Sequence, residues 1–117
     1  MIRIDNRYGT IEISQEYFRH LVGEAVSSCY GVVGMVSKSP VKGLRSLLGR
    51  GTKVEDGVRV RSEGDRLVVD IHIEVVFGMN ISAIAKSIVN KVRYTIEDAT
   101  GLTVKKVNVF VDGIQPE

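Results

Sequence analysis

The sequence predicts an α+β fold, a two-layer sandwich in which two helices pack on one face of a largely antiparallel sheet, in the order β-α-β-β-α-β. Three observations carry that expectation. Apolar and polar residues alternate over 9–13, 58–61, 67–76 and 107–112; apolar residues recur at helical spacing over 17–29 and 84–99; and Ser, Asn and Gly stand at the joints between these blocks. With 117 residues, 44% of them hydrophobic, the chain has material for one core and not two. Residues 1–117 therefore read as a single domain, interrupted by a basic loop at 36–55.

Each element follows from its residues. Gly9-Thr10-Ile11-Glu12-Ile13 alternates as a short strand, and Ser14 is placed to cap a helix with Glu16 in its first turn. Tyr17, Phe18, Leu21, Val22, Ala25, Val26 and Cys29 then form an apolar stripe, and Gly31 and Gly34 are natural stops because glycine accepts the left-handed conformation that ends helices. Val58 and Val60 alternate with Arg59 and Arg61, Glu63-Gly64-Asp65 supplies a turn, and Leu67, Val69, Ile71, Ile73 and Val75 alternate with Val68, Asp70, His72, Glu74 and Val76. This is a hairpin with a long second strand. A second helix opens at Asn80 or Ser82, lays Ile84, Ala85, Ile88, Val89, Val92, Ile96 and Ala99 on one face, and closes at Gly101. The last strand sets Val107, Val109 and Val111 against Asn108, Phe110 and Asp112, and the spacing from Val104 to Val107 breaks the period of two, as a bulge does. The sheet face away from the helices should show Val68, Val76 and Phe110 among charges, which reads either as a self-association surface through that face or a sheet edge, or as the scattered apolar residues ordinary on any surface.

Charge is distributed unevenly. Net charge is +2, yet between Glu24 and Glu55 there is no acidic residue, and Lys38, Lys42, Arg45, Arg50 and Lys53 all fall there. Leu44, Leu47 and Leu48 interleave with these cations as the apolar side of a short helical turn. Such a segment suits an anionic partner or lipid surface, with a contact that at about 1 kcal/mol per cation is weak and salt-sensitive, or else it is a solvated loop whose leucines fold back on the core. These eight residues are the candidate contact site. The alternative reading is weak RNA or DNA binding by the same loop with Lys86, Lys91 and Arg93. Asp70, Glu74 and Asp112 on the sheet and the shortage of stacking aromatics oppose it.

Other chemistry finds little support. Cys29 is the single cysteine, so no internal disulfide forms, and its place on the apolar stripe reads as a small buried hydrophobe. His20 and His72 have no partner at zinc-ligand spacing, and no metal or cofactor site is read. Gly43 to Gly51 lacks both the phosphate-loop pattern and the GxxG clamp of KH domains. No paired acid and base or activated nucleophile stands at recognisable spacing, so the chain reads as no enzyme, with no small-molecule substrate. The N-terminus lacks the apolar core of a signal peptide, and no run approaches the ~20 apolar residues of a membrane span. A cytoplasmic protein is expected, with a protein partner as its route to the inner membrane face.

Five segments in order also carry a family resemblance: Gly9 to Ser14, Gly31-Val32-Val33-Gly34-Met35, Gly57-Val58-Arg59-Val60, Val75-Val76-Phe77-Gly78-Met79-Asn80-Ile81, and Thr100-Gly101-Leu102 with Val107-Asn108-Val109-Phe110-Val111. Together they resemble the alkaline shock protein family of bacterial envelope stress response proteins, and the chain is similar to a small stand-alone member. The resemblance implies cell-envelope homeostasis in Gram-positive bacteria, no established enzymatic activity, and, as for some members, location at the cytoplasmic face of the membrane through a separate membrane-anchored partner. It transfers no functional residue. Phe77 stands before Gly78 where the family more often carries tyrosine.

Overall fold

The computed structural model describes residues 1–34 and 57–115 and has the expected α+β, two-layer architecture. Its elements are β1 (Ile2–Asn6), β2 (Gly9–Ile13), α1 (Gln15–Ser27), β3 (Val32–Gly34), β4 (Val58–Glu63), β5 (Arg66–Val76), α2 (Ile81–Thr100) and β6 (Thr103–Gln115). Two strands were not read from the sequence. Ile2–Asn6 pairs antiparallel with the expected 9–13 strand as a separate hairpin, and Val32–Gly34 follows α1 where a helix stop was expected.

The main sheet is organised by β5. On one edge β4 and β3 pair with it end to end, both antiparallel, and on the other edge β6 runs parallel to it. The parallel pair follows from α2, because a helix between two strands of one sheet carries the chain back to the starting end. Twenty residues of helix span about 30 Å at 1.5 Å each, close to the length of the eleven-residue β5 at about 3.3 Å each.

Both helices lie on the same face. Leu67, Val69, Ile71, Ile73 and Val75 meet Phe18, Val22, Ala25 and Val26 of α1 and Ile84, Ile88, Val92 and Ile96 of α2 in one core. The caps are as expected: Ser14 accepts a hydrogen bond from the Tyr17 amide at 3.1 Å, Asn80 from the Ala83 amide at 3.0 Å, and Gly101 ends α2 at φ +74°. The bulge also falls where the spacing put it, with Lys105 the extra residue between Val104 and Lys106; a second leaves Asp112 extra between Val111 and Gly113.

The helical stripes need trimming. Tyr17 is exposed, since α1 turns only Phe18, Val22 and the 25–26 pair squarely inward, and Ala99 is exposed in the last turn of α2. Cys29 is buried although α1 ends two residues earlier. Val68 corrects the expected open face: it is fully buried, yet outside the main core. Register sets it between Arg61 and Lys106, whose aliphatic stems are long enough to shield it.

Candidate functional site

The eight loop residues proposed from the sequence, Lys38, Lys42, Leu44, Arg45, Leu47, Leu48, Arg50 and Lys53, lie outside the described residues. The positions flanking that segment are both on the same edge of β5, with Gly34 paired to Glu74 and Val58 paired to Ile71. The described site is thus the neighbouring sheet face that α1 and α2 leave uncovered.

Strand alternation builds this face. Because odd residues of β5 enter the core, Asp70, His72, Glu74 and Val76 project the other way, beside Arg59 and Arg61 of β4 and Asn108, Phe110 and Asp112 of β6. Most of their polar groups pair within the face. Asn108 Nδ2 donates to Asp70 Oδ1 at 2.8 Å, Arg61 Nε stands 3.9 Å from the other Asp70 oxygen, and Gln115 donates to Glu74 at 2.6 Å. His72 Nδ1 lies 2.5 Å from Asp112 Oδ2, and the imidazole stacks on Phe110 with centroids 4.7 Å apart and planes 16° from parallel. Gly113 makes room for the Glu74 side chain, since a Cβ there would stand 3.2 Å from its Cγ.

This network ties β4, β5 and β6 to one another across the open face. Cys29 is buried in the helix-side core, across the sheet from the His72–Asp112 pair. The partly exposed ion pairs, including Lys105 with Glu63 at 3.9 Å, each contribute at most about 1 kcal/mol. The sequence reading left His72 without a partner; the usable signal was that His72 and Asp112 both alternate with core valines and isoleucines. Lys86, Lys91 and Arg93 are exposed on α2, hence on the opposite side of the sheet from Phe110.

At the end of β5 large apolar side chains stand in solvent: Tyr30 is 84% exposed, Phe77 66%, Ile114 54% and Ile81 41%. The backbone draws these segments together, because the Val76 amide donates to Gly31 and the Phe77 amide to Gln115. Among the described residues no helix is long and apolar enough to cross a membrane.

Comparison with known proteins agrees with the resemblance. A family model for alkaline shock protein 23, described by a cell envelope-related function, matches residues 3–116. Similar curated proteins include YloU of Bacillus subtilis (strain 168), 40% identical over 97% of this chain and 95% of that protein. Another is Spy1614 of Streptococcus pyogenes serotype M6 (strain ATCC BAA-946 / MGAS10394), 34% identical over 97% of this chain and 94% of its own length. Both carry the description "uncharacterized". Among solved structures, MamM-CTD 215-293 superposes with a TM-score of 0.50 at 16% identity, over 86% of this chain and 99% of that one. At that identity the likeness is one of fold.

Proposed function

The chain belongs to the alkaline shock protein 23 family, which has a cell envelope-related function, and from that membership we propose that it is a non-enzymatic, self-associating scaffold for protein partners at the cell envelope. The observation that carries the reading is the contrast between its two kinds of surface. Asp70, His72, Glu74, Asn108 and Asp112 on the open sheet face are held by neighbouring side chains, while Tyr30, Phe77, Ile81 and Ile114 stand exposed near one end. Exposed apolar clusters of this kind mark contact surfaces more often than reaction sites.

In this reading the basic segment supplies a second, weaker contact. Lys38, Lys42, Arg45, Arg50 and Lys53, with Leu44, Leu47 and Leu48, touch an anionic surface at the cytoplasmic side of the membrane, and a membrane-anchored protein partner supplies firm attachment. Sedimentation equilibrium over a wide concentration range tests the scaffold, with mass expected to rise above the monomer; a monomer at the highest concentration refutes it. Co-sedimentation with anionic vesicles tests the segment separately, and no binding at low salt removes that contact.

A further inference from the structure

The outer edges of the main sheet are treated differently by the rest of the chain. On the β4 side, the Gln15 carboxamide pairs with Val60 as a neighbouring strand would: its oxygen accepts from the Val60 amide at 3.0 Å, and its nitrogen donates to the Val60 carbonyl. On the β6 side, the Val104 amide is taken by Glu97 at 2.9 Å, just before the first bulge. Beyond it, among the described residues, no hydrogen bond reaches the backbone of Lys106 to Asp112 from outside β5.

That stretch reads Lys106-Val107-Asn108-Val109-Phe110-Val111-Asp112 and is self-complementary when reversed. Centred on Val109, an antiparallel copy sets Lys106 opposite Asp112, Val107 opposite Val111, Asn108 opposite Phe110 and Val109 opposite itself. Opposite residues of an antiparallel pair share a face, so the valines meet on the helix side and the Lys–Asp pairs on the open side. The three valines are only partly buried, packed on the margin of the core, and a second strand would finish covering them. Moving the centre by one residue along β6 separates Lys106 from Asp112 and sets Lys106 against Phe110 or Ile114.

We propose that β6 is the interface for a second copy of this chain, the two strands pairing antiparallel about a two-fold axis at Val109 to join the sheets into one. This rests on the self-association reading and adds to the apolar end a second surface, the one that closes a dimer. A two-fold contact is satisfied by one patch used twice, and this stretch is its own complement in shape and charge.

The test uses the whole chain. Val109→Cys under mild oxidation should give a disulfide-linked dimer, since directly opposed residues have Cα atoms about 4.5–5.5 Å apart, within disulfide reach; wild type, whose Cys29 is buried, controls for other links. K106D and D112K should each weaken association about tenfold, because each creates two like-charged pairs per dimer, and the double variant should restore it. Lys106 borders buried Val68 and Asp112 pairs with His72. Urea unfolding of each variant followed by circular dichroism therefore separates lost stability from lost association, and recovery of association in the double variant reports the Lys–Asp pairs themselves. Association unchanged by the single reversals, or an associating chain without the Val109→Cys link, overturns this interface and leaves self-association standing. A wild-type monomer overturns both.

Discussion

Alanine at Gly31 should destabilise the fold by about 2–6 kcal/mol, which exceeds the loss at Gly101 by about 1–3 kcal/mol, although both glycines have positive φ. Gly31 sits at φ +92° and Gly101 at +74°, so a side chain is strained at either, at about 1–3 kcal/mol. The difference lies in space. A Cβ on Gly31 would stand 2.8 Å from Ile84 Cδ1 and 3.2 Å from Met79 Cε, while one on Gly101 meets nothing within 4 Å. Ile84 is 5% exposed, and the Gly31 carbonyl accepts from the Val76 amide at 3.2 Å, so helix and loop are both held. Overpacking of this kind adds about 1–3 kcal/mol. Urea unfolding followed by circular dichroism gives the values, and Ile84→Val supplies the control by deleting Cδ1. Alone it should cost about 1 kcal/mol; combined with Gly31→Ala it should recover about 1 kcal/mol of the clash as coupling. Equal losses for Gly31→Ala and Gly101→Ala, or no coupling with Ile84→Val, would refute the close approach as the reason for glycine.

Further outcomes follow from the same geometry. Gln15→Ala should cost about 1–3 kcal/mol in urea unfolding, because it strips partners from both part-buried backbone groups of Val60. Ser14→Ala and Asn80→Ala should each cost about 1 kcal/mol, and their effects should add because the caps belong to different helices. The Asp5 carboxyl is held below the usual range, first by the Thr10 hydroxyl and then by Arg3. A depressed folded value contributes stability above the unfolded pKa, about 3.9, that is lost as pH falls through the folded value. Carbon-detected titration should therefore show Asp5 moving up towards its ordinary value in Thr10→Val.

What the sequence made legible was local chemistry. Ser14, Asn80 and Gly101 announced helix ends because a cap is decided within three or four residues. The first bulge was legible because Val104 and Val107 are three apart; Val111 and Ile114 repeat that spacing across the second, and the same argument would have found it. β1 and β3 were missed for a different reason. Ile2 and Ile4 become strand residues through pairing with Ile13 and Ile11, and Val32 through pairing with Val75, forty-three positions away, and short strands hold little periodicity of their own. Val68 was misjudged because alternation tells which face a residue takes but not how well long neighbours cover it. Of the candidate site, Phe110 was foreseen on the open face, whereas its stacking on His72 and the His72–Asp112 pair depend on the β5–β6 register. The basic segment was read from charge alone and lies outside the described residues.

The two bulges also bear on how large an assembly the proposed β6 contact can build. Exposed edges invite unlimited strand addition, and bulges and lysines are usual defences against it. Here Lys105 and Asp112 interrupt the ladder at both ends of the self-complementary stretch, so pairing stops after about seven residues, and a two-fold contact consumes the patch on each partner. Growth past a dimer then needs another surface, for which Tyr30, Phe77, Ile81 and Ile114 are the exposed candidates. The two surfaces should separate experimentally. K106D should reduce the chain to monomers at dilute concentration, whereas Phe77→Ser, 66% exposed and outside β6, should leave the dimer intact and remove larger species in sedimentation velocity. If Phe77→Ser dissolved the dimer, or if K106D left it untouched and only the larger species vanished, the assignment of closure to β6 and growth to the apolar end would be reversed.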